Sequence, residues 1–368
     1  MLVLLVGLAI YLRIQYGGGQ EYPDVSTEPK YGSADLVEVI AYPDPIGNVA
    51  VSKDTIGPHR VFFTIHPESR PETIKLVEII NGKAEPYPSL AAQSLFSTVL
   101  GVFTDQQNRL WTIDHGNHGF EPVRLLAFDL SNNQLVHEYA FPKHVAKKGS
   151  FFNDLSVSPD GRHIVVANVS FFGRKPSIAV YDLQSGESRN RLEAHRSMKH
   201  EQYVPITPNK KMRFFGGLVD LLTGIDGIDF TRDGEYVYWA PMGHSKLFRI
   251  ATTKLTNFDL SETALAEAVE EIATKPLSDG IRTDFEGNVY ITDIENQGIY
   301  VVSPEGKGYT LIKDERIRWA DGLSLAMDGT FYLADSDIPN QMLMSKKNME
   351  AHSPYYIFKF SSLEVESK

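Results

Sequence analysis

Four polar residues stand at the same place in four similar segments of the sequence. Asn153, Asp226, Asp279 and Asp321 each open a segment that continues with an apolar run, a short turn and a second apolar run. Carboxylates that are held close together repel one another, so such a set needs a cation, a shared proton or a cationic ligand. Because every ligand atom would be an oxygen, Ca²⁺ or Mg²⁺ would suit the set better than zinc.

A structural interpretation of the aspartates is open beside the functional one. Asp226, Asp279 and Asp321 each precede a glycine. Asp before Gly is common in turns, where the carboxylate accepts hydrogen bonds from backbone N–H groups. The functional interpretation predicts that Asn153 and Asp226 bind a ligand, and that Asn153, Asp226 and Asp279 would hold a metal ion if one is present.

Aromatic and histidine residues add weaker signals near the same segments. Phe152 and Trp319 stand close to Asn153 and Asp321 in the sequence, and they could form a stacking wall for a ligand or simply fill the core. His115 and His118 have the spacing of a metal-binding pair, although a solvated turn explains them better. The sequence holds no nucleophile elbow and no phosphate-binding loop.

The elements that position these residues repeat along the chain. Six copies of the segment can be aligned, and they begin at Gly47, Thr98, Asn153, Asp226, Asp279 and Asp321. Each copy alternates in polarity around a turn such as Pro159-Asp160-Gly161, which is typical of a β-hairpin. The starts are 42 to 73 residues apart, as in β-propeller blades. A two-sheet sandwich would not explain six copies of one hairpin.

The sequence therefore predicts an all-β fold, a six-bladed β-propeller whose first strands line a central channel. The residues that open the six copies would then surround one mouth of that channel. Residues 35–42 alternate like a strand but precede the first copy, whereas the last copy lacks a fourth strand after residues 355–360. We expect these two strands to pair, because that closes the ring and removes an open sheet edge.

Composition limits the partners that this chain can have. It has 368 residues, a net charge of −11 and no cysteine. The absence of cysteine excludes disulfides, thiolate metal sites and cysteine nucleophiles. No cluster of Lys and Arg has the density of a nucleic-acid footprint. We expect a monomer that binds a small-molecule ligand, with no nucleic acid as partner.

The first residues predict export. Residues 2–12 are an unbroken apolar run, short for a membrane span and without the flanks of a standard signal peptide. We interpret residues 1–15 as a signal peptide or signal anchor, residues 16–34 as a flexible linker and residues 35–368 as the propeller domain. The protein is then secreted or periplasmic, and residues 2–12 could tether it to the membrane.

Two insertions interrupt the repeats. Residues 184–222 lie between the third and fourth copies and could cap one mouth of the channel or form a plain surface loop. Residues 260–273 are predicted to form an amphipathic helix that begins at Ser261, with Leu265 on its apolar face.

With these residues in view, the chain resembles the major royal jelly protein/Yellow family. The likeness runs from about residue 48 to residue 361. It rests on RLWTIDHG and VRLLAFDLSNNQLV, then on FFNDLSVS, GIDGIDFTRDGEYVYWAPMGHSKLFRI and LSDGIRTDFEGNVYITDIENQGI, which match in order and spacing. The chain departs from insect members, which carry disulfide cysteines, and this suggests a bacterial-type branch.

The resemblance implies a fold and a function. Members are six-bladed and mostly secreted; some are linked to dopachrome conversion and some bind biogenic amines in the channel. This implies an exported propeller that binds a small aromatic or amine metabolite, and a tautomerase would use Asp279 or Asp321 as its proton-transfer base.

A more distant likeness is to the regucalcin/gluconolactonase propellers. It implies a second reading, a lactone hydrolase that depends on Ca²⁺ or another divalent cation. Asn153 resembles their substrate-contacting Asn, while Asp226 and Asp279 fall at their metal-binding positions. The Glu expected in the first blade is missing, because Gly47 and Asn48 occupy that place. A third reading is a non-catalytic interaction scaffold.

Overall fold

Six four-stranded antiparallel sheets form the computed structural model, which describes residues 2–54 and 58–362. They are the six blades of the predicted propeller. Residue 1 of the predicted signal, residues 55–57 of the first hairpin and residues 363–368 of the predicted domain lie outside the described residues.

Each blade begins with its innermost strand, and the chain then runs outward. Blades one to three contain Ile46–Val51, Val61–Ile65, Leu76–Ile80 and Lys83–Pro86; Val99–Thr104, Arg109–Asp114, Arg124–Asp129 and Gln134–Ala140; and Phe152–Val157, His163–Asn168, Ser177–Asp182 and Glu187–Arg191. Blades four to six contain Ile225–Phe230, Tyr236–Pro241, Lys246–Ala251 and Glu270–Thr274; Ile281–Thr283, Val289–Asp293, Gly298–Val302 and Gly308–Lys313; and Ala320–Leu325, Thr330–Asp335, Tyr355–Ser361 and Val37–Tyr42.

Blade six confirms the predicted ring closure. Its outermost strand is Val37–Tyr42, which pairs antiparallel with Tyr355–Ser361. Tyr42 lies opposite Tyr355 at one end of the pair. Both ends of the propeller thus meet in one sheet, and the sequence alternation that predicted an unpaired strand is explained by this pairing.

Apolar side chains fill the spaces between neighbouring blades. One cluster joins blade two to blade three through Trp111, Phe152 and Tyr181. A second joins blade three to blade four and contains Trp239, which is fully buried. Buried indoles keep a hydrogen-bond partner: Nε1 of Trp111 donates to Asp105 and Nε1 of Trp239 donates to the Ser197 carbonyl.

Residues 192–224 form a cap on the mouth side of blades four to six. They contain two short hairpins, Ile206–Thr207 with Lys210–Lys211 and Arg213–Phe214 with Val219–Asp220. Val204, Met212 and Leu222 of the cap pack against Met242, Ile294 and Trp319 of the blades. Of the predicted insertion, residues 187–191 instead belong to the outer strand of blade three.

Residues 16–34 are predicted to form a flexible linker, but in the structure much of this segment lies against the domain. The Gly19 amide donates to Oδ2 of Asp220 at 2.6 Å, and Gln20 forms a bridge with Tyr203 of the cap. Further along, the Tyr31 amide donates to the Leu311 carbonyl of blade five at 2.8 Å. Backbone hydrogen bonds therefore hold this segment from the cap to blade five.

Helices are few and mostly short. The α-helices are Leu2–Tyr16, Gly116–Gly119, Thr252–Leu255, Glu262–Glu267, Ile338–Gln341 and Lys346–Ala351. The 3₁₀ helices are Ser33–Asp35, Pro67–Ser69, Ala91–Leu95, Arg196–Met198 and Phe215–Gly217. None of the helices within residues 2–54 and 58–362 is both long enough and apolar enough to span a membrane.

The helix predicted at residues 260–273 is shorter than expected. It begins after Ser261, whose hydroxyl accepts from the Ala264 amide as an N-cap, but it covers only Glu262–Glu267. Residues 270–274 instead form the outer strand of blade four and pair with Lys246–Ala251. Completing the four-stranded sheet outweighs the helical periodicity, because the strand satisfies the edge of its neighbour.

Candidate functional site

The innermost strands bring the four predicted polar residues to one mouth of the channel. Asn153, Asp226 and Asp321 lie within the first strands of blades three, four and six, and Asp279 lies two residues before that of blade five. None of the four is more than 6% exposed. We call Asn153, Asp226, Asp279 and Asp321 the acid cluster.

The glycines that follow the aspartates do not form turns. A Cβ atom on Gly280 would lie 2.3 Å from the Asp321 carbonyl oxygen of the next blade, and one on Gly227 would lie 2.7 Å from the Ile281 nitrogen. Their amides donate across the gap, Gly280 to Asp321 O and Gly227 to Asp279 O, both at 2.9 Å. Glycine is therefore required for close packing of the inner strands, and the structural interpretation based on turns is wrong.

Blades one and two complete the ring without a carboxylate at this register. The bulge of blade two lies between Val99 and Val102 and matches the bulge between Ile225 and Gly227 in blade four, so Leu100, and not Thr98, is the counterpart of Asp226. Thr98 lies outside the strand, where its hydroxyl contacts Asp114 at 3.1 Å. Gly47 keeps the predicted register in blade one.

Each member of the acid cluster has a different neighbour. The Asn153 amide donates to Oδ1 of Asp226, and the Trp319 indole donates to Oδ2 of Asp279 at 2.6 Å. Nε2 of His66 lies 3.9 Å from Oδ2 of Asp321. Oδ1 of Asn153 is buried and has no hydrogen-bond partner among the described residues. The cluster thus has an unused acceptor in addition to its carboxylates.

Asp154 is a further buried carboxylate that the sequence interpretation missed. It follows Asn153, and its Oδ1 accepts a hydrogen bond from Asn48 of blade one at 2.6 Å. Burial raises the pKa of Asp154 to about 6, against the opposing effect of Arg282. Strict alternation would place adjacent residues on opposite faces, and only the bulge between Phe152 and Leu155 changes this.

Burial and mutual repulsion favour the protonated forms of the aspartates. Burial raises the pKa of Asp279 to about 7, although the Trp319 hydrogen bond opposes the shift. Burial, and then the charge of Asp279, raise the pKa values of Asp226 and Asp321 well above the usual range. A proton can therefore be held within the acid cluster near neutral pH.

No formal cation contacts these three carboxylates. Among residues 2–54 and 58–362, no Lys or Arg forms an ion pair with Asp226, Asp279 or Asp321. Burial lowers the pKa of His66 to about 3, so this imidazole is neutral beside Asp321. Lys275 lowers the pKa of Asp226 from a distance, but its ammonium donates to Pro276 O and Ser278 Oγ.

The two predicted aromatic ligand contacts are part of the core. Phe152 is fully buried between blades and packs edge to face on Phe141, with ring centroids 4.9 Å apart. Trp319 is fully buried beneath the cap and contacts the acid cluster only through its indole N–H. The mouth-side aromatic ring is instead Phe151, which stacks on His118 at 5.0 Å.

The side chains of the acid cluster do not form the ligand set of a metal centre. No group of three or more His, Asp or Glu side chains in the described part of the chain is arranged to hold one. Asn48 stands in blade one where the resemblance implies a Glu, and its amide is bound to Asp154. The predicted metal ligands Asn153, Asp226 and Asp279 therefore do not fit a metal centre of the regucalcin type as they stand.

Solved structures with this architecture include enzymes and a calcium-binding protein. A gluconolactonase from Xanthomonas campestris superposes with a TM-score of 0.57 at 13% identity, covering 93% of this chain and 98% of that one. A luciferin-regenerating enzyme gives 0.56 at 11% identity, over 90% and 96% of the chains. Regucalcin from Agrobacterium tumefaciens gives 0.53 at 12% identity, over 91% and 95%. At these identities the likeness shows the fold alone.

Sequence comparison is more specific than the structural likeness. No curated protein matches this chain. The family model for major royal jelly proteins matches residues 97–323, which is more than half of the sequence and includes all four residues of the acid cluster. The chain therefore belongs to the major royal jelly protein family.

Proposed function

We propose that this chain is an exported propeller that binds a small aromatic or amine metabolite at the acid cluster. The observation that carries the proposal is the burial of Asp226, Asp279 and Asp321 in one register without a contacting cation. Two unit charges about 4 Å apart repel by roughly 4 kcal/mol at an effective dielectric constant of 20. A protonated amine would relieve this repulsion by adding the missing positive charge.

The same groups could support a tautomerisation, which moves a proton between two positions of one ligand. Asp279, with a pKa of about 7, is suited to accept a proton from the ligand near neutral pH. Asp321 favours its protonated form and could return a proton at a second position, so that the ligand keeps its composition. Asp226 and Asn153 would orient the ligand.

Ligand binding can be tested with a matched pair of probes. We expect 2-phenylethylamine to raise the melting temperature and to give saturable heats in calorimetry, whereas neutral 2-phenylethanol binds at least tenfold more weakly. Equal affinities of the amine and the alcohol would contradict the proposal. Indole and catechol amines extend the screen, and decay of dopachrome absorbance tests catalysis separately from binding.

Metal-dependent lactone hydrolysis is the alternative function for the acid cluster. The unpartnered Oδ1 of Asn153 favours it, because a buried carbonyl oxygen next to Asp226 could contact a cation such as Ca²⁺. The other side chains of the acid cluster do not fit a metal ion. Elemental analysis of the purified protein separates the two functions. If neither amines nor metals bind, a non-catalytic scaffold is the remaining reading.

Export rests on the apolar run at residues 2–12. In the helix Leu2–Tyr16, the side chains of Val6, Leu8, Ile10 and Ile14 are more than half exposed, which is unfavourable in water. We propose that this segment directs export and can tether the domain to a membrane. A fusion of residues 1–34 to a reporter that is active only after export should give signal, and activity confined to the cytoplasm would reject this.

A further inference from the structure

A second cavity lies between blades one and two, on the mouth side of the propeller. Its volume is about 420 Å³, within the range of small-molecule sites. Ile65 and Val99 at its lining are buried, and polar groups of the loops after the second strands complete it. Pro67 at its lining follows His66, the residue beside Asp321, so the cavity adjoins the acid cluster without sharing its carboxylates.

His115 lies at the lining of this cavity, and one nitrogen of its ring is buried. Its Nδ1 accepts a hydrogen bond from the His118 amide at 3.1 Å, so Nδ1 carries no proton. Burial lowers the pKa of His115 to about 3, and the ring is therefore neutral with its proton on Nε2. Nε2 is buried and has no hydrogen-bond partner among the described residues. His115 as a whole is only 3% exposed. Because Nε2 is not exposed to the cavity, the His115 ring shapes the lining and is not counted as a contact for a ligand.

Two cations line the same cavity without a partner carboxylate. Arg70 donates to the Met344 carbonyl at 2.8 Å, and neither Arg70 nor Lys75 forms an ion pair with a described residue. Glu68 also lines the cavity, with its carboxylate 3.9 Å from Nε2 of His118. Two cations and one carboxylate leave a formal charge of +1, which matches a ligand with one negative charge.

We propose that this cavity binds the carboxylate group of a small monoanionic ligand, with Arg70 and Lys75 as counter-charges. The site goes beyond the proposed amine site, because it attracts the opposite charge and uses different residues. A singly charged carboxylate suits it better than doubly charged phosphate, since Glu68 repels additional negative charge.

Binding is tested on the full chain with a panel of small carboxylates and their neutral amides. The panel runs from acetate through benzoate to indole-3-acetate, and thermal shift and calorimetry are measured at constant ionic strength. We expect at least one carboxylate to bind saturably and at least tenfold more tightly than its amide, because charge-assisted hydrogen bonds are lost in the amide. The proposal is overturned if no carboxylate stabilises the protein more than its amide, or if inorganic phosphate binds more tightly than every carboxylate.

Variants assign the binding to the cavity. The double substitution Arg70→Gln/Lys75→Gln should weaken carboxylate binding at least tenfold, and Lys83→Gln, which removes an exposed cation from the outer strand of blade one, should leave it unchanged. Asp279→Asn should not affect carboxylate binding, which separates this site from the acid cluster. Unchanged affinity in the Arg70/Lys75 variant would overturn the assignment.

Discussion

The indole N–H of Trp319 donates to Oδ2 of Asp279 at 2.6 Å and joins blade six to blade five at the mouth of the channel. The bond orients one carboxylate of the acid cluster from a fully buried ring. It also favours the charged form of Asp279, which burial otherwise disfavours. The protonation state of Asp279 therefore depends on how Trp319 is packed.

Asp279→Asn should abolish amine binding and leave the fold intact. The asparagine carbonyl can still accept the Trp319 hydrogen bond, while the buried negative charge is removed. Without ligand at pH 8, we expect the variant to be more stable than the original protein by at least about 1 kcal/mol. Each pH unit by which the pKa of Asp279 is raised destabilises the folded protein with a charged Asp279 by about that amount. Urea unfolding and calorimetry measure both effects. Asp259→Asn, at an exposed carboxylate, is the control and should change neither.

Trp319→Phe should raise the pKa of Asp279 further, because the lost hydrogen bond stabilises the charged carboxylate. The pH midpoint of amine binding would then move upward, and stability would fall by about 1–3 kcal/mol from the lost bond and the smaller ring. Trp111→Phe removes a comparable indole–carboxylate bond, to Asp105, inside blade two. A midpoint that moves equally in both variants would speak against a specific role for Trp319.

The contribution of the acid cluster to the stability of the ligand-free protein should decrease as pH rises from about 4 to 7, whereas buried histidines such as His66 and His115, whose pKa values are lowered, act in the opposite direction. The pKa values of Asp226, Asp279 and Asp321 are raised on folding, so the folded state binds more protons than the unfolded chain in this range. The stabilisation from these three protonated carboxyl groups is complete below their pKa in the unfolded chain, near 4. It is lost as pH rises through their pKa values in the folded protein, by up to about 1.4 kcal/mol per proton and pH unit. Urea unfolding should show that Asp279→Asn gains stability relative to the original protein as pH rises through this range, and a difference that stays constant would contradict the assignment.

Removal of residues 1–45 should destabilise the whole propeller. It deletes Val37–Tyr42 and exposes the edge of Tyr355–Ser361. Removal of residues 1–18 keeps that strand and the segment from Gly19 onward that is bound to the cap, so its melting temperature should stay close to that of the full chain. Equal melting temperatures for the two truncations would show that ring closure contributes nothing.

The sequence was most informative where structure repeats locally. Hairpin turns such as Pro159-Asp160-Gly161 recur with each blade, and an unpaired strand at residues 35–42 pointed to the closure found in blade six. In blade two the residue at the aspartate register is Leu100, two positions after Thr98, and its apolar side chain gave no polar signal in the sequence. Asp154 was missed because the bulge between Phe152 and Leu155 breaks the alternation of the strand.

Other features of the site depend on contacts between distant segments. Phe152 and Asn153 are adjacent in sequence, yet one fills the space between blades and the other faces the mouth. The hairpins of the cap have strands of only two residues, which are too short to show a periodic pattern of polarity in the sequence. Its packing on Trp319 could not be inferred from local patterns, since these residues are about a hundred positions apart.

The pairing of Val37 with Lys359 has a consequence for biosynthesis. The strand that completes blade six precedes every other strand of the ring in the chain, whereas its partner follows them all. Blades one to five can each form from contiguous chain, but the ring cannot close until Tyr355–Ser361 has been synthesised. The propeller therefore completes its fold only after its last blade has been made, however early the closing strand is available.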